Sequence, residues 1–117
     1  VLHVVHDPGS MPGYYSRALR KKQVHRIEDG AADMLSEFLK DVVERHPHLR
    51  ALRDIQSMLV KGLPSRRILE VAEQQGASLI VLGSKGLTGL KHLMIGSVAE
   101  RVVHLAPIPV TVVKSVQ

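Results

Sequence analysis

The sequence predicts an α/β domain built on a doubly wound parallel sheet, and three observations carry that expectation. Short β-branched runs alternate with stretches of helical periodicity along the 117 residues, in the order β, α, β, α, β, α, β. Residues 79–82, Leu-Ile-Val-Leu, form an unbroken apolar run, as expected of a strand covered on both faces. Glycines follow that run directly, at the carboxyl end of a strand, where ligands of open α/β sheets bind.

Each element has its own signal. Residues 1–5, Val-Leu-His-Val-Val, read as a strand. Asp7, Pro8, Gly9, Pro12 and Gly13 then place a loop over 7–16. A helix is expected over 17–45, where Ile27, Ala31, Met34, Leu35, Phe38 and Val42 recur at spacings of three and four and so share one face. Gly30 interrupts that helix at a cost of about 1 kcal/mol against Ala, marking a close contact or a bend. Pro47 ends it, because the residue before a proline is driven from the α region.

A second strand is expected over 54–60, closed by Gly62. Pro64 suits a first helical position, Ile68, Leu69, Val71 and Ala72 supply the next apolar stripe, and Gly76 is the expected C-cap. After the strand at 79–82 comes a loop from Gly83 to about residue 93, then a helix over 97–105 and a last strand over 110–113. Met34, Met58 and Met94 sit among apolar residues and are expected in the core.

Composition narrows the classes. The chain is of one-domain size, 44 % apolar, with one Phe, two Tyr and no Trp. No apolar run reaches the ~18 residues of a membrane helix, and no stretch reads as a signal peptide. Without cysteine there is no disulfide framework and no thiolate metal site, which fits a reducing, cytoplasmic setting. The net charge of +5 is concentrated in Arg17, Arg20, Lys21, Lys22 and Arg26, with no aromatic residues interleaved for base stacking; a solvated basic face is the expectation, not a nucleic-acid surface. The histidines show no metal-ligand spacing. The chain opens on Val1 inside an apolar run, and upstream sequence is expected to precede it.

The chemistry concentrates in the loop. Glycine at 83 and 86 lets backbone N–H groups approach a ligand with no Cβ in the way. Gly96-Ser97 opens the following helix, whose free N–H groups and dipole favour an anion. The Ser97 hydroxyl can cap that helix or donate to a phosphate oxygen, and Lys85 adds a positive charge. These features suit a polyphosphate, although glycines after a strand also serve plain turns and a serine before a helix also serves only as a cap. The P-loop spacing and the dinucleotide fingerprint are both absent. Gly86-Leu87-Thr88-Gly89 matches a KH-type loop, but an apolar strand runs into it where a KH loop joins two helices.

The spacing Gly83, two residues, Gly86, nine residues, Gly96-Ser97 resembles the nucleotide signature of the universal stress protein (UspA-like) family, in its ATP-binding subclass. The flanks are similar too: Ala77-Ser78-Leu79-Ile80-Val81-Leu82 before it, Val98-Ala99-Glu100-Arg101-Val102 after it, and Ala106-Pro107-Ile108-Pro109-Val110-Thr111-Val112-Val113 at the end. The resemblance implies a Rossmann-like, adenine nucleotide alpha hydrolase-like sheet ordered 3-2-1-4-5, with residues 1–117 as one such domain and residues 1–5 as its second strand. On that alignment the first strand and helix are missing, and with them the acidic residue that contacts the nucleoside.

By the same resemblance, ATP or a related adenine nucleotide, with or without Mg, would rest its phosphates on Gly83, Ser84, Lys85, Gly86, Gly96, Ser97 and Val98. Val4 and Leu82 would line the nucleoside end. A homodimer through the strand 110–113 and a regulatory role in a stress response are implied as well. Two other readings stand beside this one, a nucleotide-independent interaction module and a slow ATP hydrolase. For hydrolysis the loop offers Lys85, Thr88, Lys91, His92 and Ser97 but no carboxylate before Glu100, so no catalytic residue is assigned and a fast enzyme is not expected.

Overall fold

The structure is a computed structural model that describes residues 1–6, 17–84 and 95–114, with the side chains of 17–25 left out. Its elements follow the order β1 (Leu2–His6), α1 (Arg17–Arg45), β2 (Met58–Gly62), α2 (Pro64–Gln74), β3 (Ile80–Gly83), α3 (Ser97–Leu105) and β4 (Val110–Val113), with a 3-10 turn at Arg50–Asp54. Both strand pairs are parallel, β1 with β2 and β3 with β4. This is the α/β architecture that the alternation predicts. The pairs are also those that the order 3-2-1-4-5 requires when residues 1–5 are the second strand.

The chain divides into two compact units, 1–62 and 63–117. In the first, β1 and β2 pair from Leu2↔Met58 to His6↔Gly62, and α1 packs on both strands. Val5 is the buried anchor. The strand expected over 54–60 starts four residues later. Asp54 belongs to the 3-10 turn, and the pairing carries β2 through Lys61 to Gly62, because the register with β1 sets its length rather than local propensity.

Helix α1 departs from its expected face. Ala31, Leu35, Leu39, Val42 and Val43 are half-buried, whereas Ile27, Met34 and Phe38 are 47 %, 68 % and 60 % exposed. The expected stripe was too broad: a helix on a two-stranded sheet covers one side only, and these three residues flank it. Met58 is 36 % exposed and also leaves the expected core, while Met94 lies outside the described residues. Gly30 makes no close contact, and α1 runs through it unbroken.

In the second unit β3 and β4 pair from Ile80↔Val110 to Gly83↔Val113. Its core is Val71, Ile80, Ala99 and Val102, the last fully buried. Helix α2 begins on Pro64 and ends in a Schellman motif: Gly76 N–H donates to the Glu73 carbonyl at 3.0 Å and Ala77 N–H to the Ala72 carbonyl at 2.9 Å. Gly76 takes φ +61°, a left-handed conformation that favours glycine. The expected full cover of β3 is not met, since Val81 is 60 % exposed while Ile80 is buried. Alternation along β3 and β4 leaves one face, with Val81, Thr111 and Val113, open.

Glu70 links two cations on α2. Arg66 Nε donates to Glu70 Oε1 at 2.8 Å, and an Arg67 guanidinium nitrogen donates to Oε2. Those hydrogen bonds, Arg66 first, hold the Glu70 carboxyl below its ordinary value. A carboxylate with a lowered pKa adds stability that is present above its unfolded pKa and is lost as pH falls through the folded one. Glu70→Gln is therefore expected to lower the melting temperature slightly at neutral pH. The gap should narrow as the pH falls below the ordinary carboxylate range, a pattern that paired thermal melts across pH would reveal.

Candidate functional site

The site is built where β3 hands over to α3. β3 runs one residue further than expected, so Gly83 belongs to the strand, opposite Val113, rather than to the loop. The next residue is tied in at both ends: Ser84 N–H donates to the Val113 carbonyl at 2.9 Å, and its own carbonyl accepts from Gly96 N–H at 2.7 Å. Ser84 is 5 % exposed, the one buried polar residue among those described. These two bonds bring the start of α3 back to the carboxyl end of β3 and fix the two ends of the loop.

Gly96 is the N-cap of α3, at φ −62° and ψ 157°. Any residue adopts that backbone, so the role of glycine there is one of space: a Cβ would stand 3.1 Å from the Ser84 carbonyl oxygen, a tight contact that presses on the turn. Ser97 is the first helical residue and not the cap; its side chain is exposed, and no side chain caps the helix. The first bond inside the helix is Glu100 N–H to the Gly96 carbonyl at 3.0 Å. The N–H groups of Ser97, Val98 and Ala99 thus have no acceptor within the helix, and they point out of its positive end.

The expected residues fall into three groups. Gly83, Ser84, Gly96, Ser97 and Val98 are brought together at this turn. Leu82 stands beside them, half-buried and opposite Val112. Lys85 and Gly86 lie outside the described residues, as do Thr88, Lys91 and His92. Val4 is half-buried on β1, opposite Val60 in the first unit.

Ser84 and Gly96 spend their N–H groups inside the protein and so shape the turn, whereas the three amides after Gly96 have no acceptor within the helix. Glu100 places a negative charge in the first turn of α3, which tempers the pull on an anion and offers an oxygen to a cation. Sequence reasoning missed Lys114 and Ala99. Lys114 directly follows Val113, whose carbonyl holds Ser84, so this exposed cation belongs to the same carboxyl edge. Its signal was a lysine one residue past the last strand. Ala99 contributes only a main-chain N–H and carries no side-chain signal.

Comparison with known proteins identifies the family. The family model described as "Universal stress protein family" matches residues 1–114. The chain is 38 % identical over 94 residues to universal stress protein MJ0531 of Methanocaldococcus jannaschii, covering 74 % of this chain and 54 % of that protein. It is 34 % identical over 97 residues to universal stress protein MJ0577 of the same organism, covering 80 % and 59 %. It therefore spans a little over half the length of these curated relatives. The solved structure of MJ0577 matches 99 % of this chain and 74 % of that one, at 30 % identity and a TM-score of 0.62. UspA from Lactobacillus plantarum matches 96 % and 74 %, at 26 % identity and a TM-score of 0.76. The chain belongs to the universal stress protein family.

Proposed function

We propose that the chain binds ATP or a related adenine nucleotide, its phosphates resting on the N-terminus of α3, and that it serves as a nucleotide-responsive regulator in a stress response. The observation that carries the reading is the uncapped start of α3, drawn to the carboxyl end of β3 by the 2.7 Å bond between Gly96 N–H and the Ser84 carbonyl. Phosphate is the anion that such an end holds best. Gly83 and Gly86, with the positive charges of Lys85 and Lys114, extend the support along the loop, and Glu100 is the carboxylate nearest in sequence for an accompanying Mg. Leu82 would face the nucleoside.

The whole of 1–117 acts on this reading as one domain with its nucleotide in the cytoplasm. A second copy would add to β4, which has β3 as its one bonded neighbour among the described residues, along Val110–Val113. Hydrolysis would at most be slow. Titration of the protein with ATP tests the reading, with one nucleotide per chain as the expected stoichiometry.

A further inference from the structure

The exposed flank of α1 has no role in the nucleotide reading. Ile27, Met34 and Phe38 are 47 %, 68 % and 60 % exposed, and Phe38 is the only phenylalanine in the chain. Seven and four residues apart, they line up along one side of the helix. Between Ile27 and Met34 on that side lie Gly30 and Ala31; Gly30 is exposed and has nothing within 4 Å of the point where a Cβ would stand. A partner helix could therefore approach the backbone closely at this point.

The charges of α1 say which partner. Residues 17–26 carry Arg17, Arg20, Lys21, Lys22 and Arg26 and no acid. Residues 27–45 carry Glu28, Asp29, Asp33, Glu37, Asp41 and Glu44 against Lys40 and Arg45. One half of the helix is cationic and the other anionic, so a parallel copy would set like on like, whereas an antiparallel copy sets opposite on opposite twice.

We infer that this flank pairs with the same flank of a second copy of the chain, the two α1 helices antiparallel about a two-fold axis between Gly30 and Ala31. In that register Ile27 lies opposite Met34 of the second copy, with the two small residues at the crossing, and Phe38 covers the turn around residue 23. Arg20 falls opposite Asp41. Asp41 already accepts from Arg45 Nε at 3.0 Å and is about half exposed, which leaves its carboxylate open to a second cation. A two-fold contact of this kind is self-complementary, each residue being used twice. It shares no residue with β4 or with the turn at Ser84, so it stands or falls independently of nucleotide binding.

The test uses the absence of cysteine. Gly30→Cys in the full-length protein should form a disulfide-linked dimer under mild oxidation about tenfold faster than Ser36→Cys, which lies off the flank, and added salt should slow it. Arg20→Glu in the Gly30→Cys background should slow the reaction, and adding Asp41→Arg should restore it, a rescue that pairing through β4 would not produce. Ala31→Cys serves as a second reporter should Gly30→Cys fail to fold. Equal rates at positions 30, 31 and 36, or a double variant no faster than Arg20→Glu alone, would overturn the inference and leave the flank to another covering segment or partner.

Discussion

Replacing Gly96 by valine is expected to abolish ATP binding, and by alanine to weaken it at least about tenfold, the equivalent of ~1.4 kcal/mol. The backbone at Gly96 is extended and open to any residue, so the effect does not come from dihedral strain. It comes from the Ser84 carbonyl oxygen, 3.1 Å from where the new Cβ must stand. Backbone is on both sides of that contact, so relief requires the turn to open. Opening it lengthens the 2.7 Å bond that holds the start of α3 to β3 and shifts the amides of Ser97, Val98 and Ala99 together. The loss of one partly buried hydrogen bond should cost about 1 kcal/mol of stability. Gly76→Ala is the matched control. It forces alanine into φ +61° in open space, away from the turn, and should lower stability by about 1 kcal/mol while leaving ATP affinity unchanged. Calorimetric titration and thermal melts on the two variants separate loss of the site from loss of the fold.

Val102→Asp is expected to unfold the second unit, and Val102→Ala to destabilise it by about 2 kcal/mol. Val102 is fully buried, on the face of α3 that also carries Ala99 at 3 % exposure. It anchors the helix whose N-terminus is the proposed phosphate site, and its carbonyl accepts from Ala106 N–H at 2.9 Å as the helix ends. Alanine removes two methyl groups and leaves a void. Aspartate buries a charge with no cation among the described core residues to receive it. For a unit of this size about 2 kcal/mol corresponds to a fall of roughly 10 °C in melting temperature, readable by differential scanning calorimetry. Val103→Asp, on the exposed side of the same helix, should change little.

What could be read in the sequence was what local chemistry decides. Pro64 and Gly76 bracketed α2 because a missing N–H and a left-handed residue have fixed places at helix ends. Helix α3 and strand β4 fell on their expected residues, and the glycine spacing pointed to the turn between β3 and α3. What could not be read depends on contacts between distant residues. The start of β2 was set by its register with β1, and the addition of Gly83 to β3 by its partner Val113. Which apolar residues of α1 are covered depends on the width of the sheet beneath it, and periodicity alone grouped Met34 and Phe38 with the half-buried Leu35 side. At the site, sequence named Gly96 as the opening of a helix with free N–H groups, and the structure adds the close approach of the Ser84 carbonyl. The Ser84 bonds that close the turn are main-chain bonds and leave no side-chain signature.

Phosphate held by the open end of α3 would be felt first by the backbone amides of that end. In a titration of the isotopically labelled protein with ATP, followed by NMR, saturable shifts are expected at one nucleotide per chain, largest at the amides of Ser97, Val98 and Ala99. The buried and already bonded amide of Ser84 should shift less, and the same titration of the Gly96→Val protein should leave all of them in place. ATP that binds while those three amides stay unmoved, or no binding by the folded protein, would contradict it.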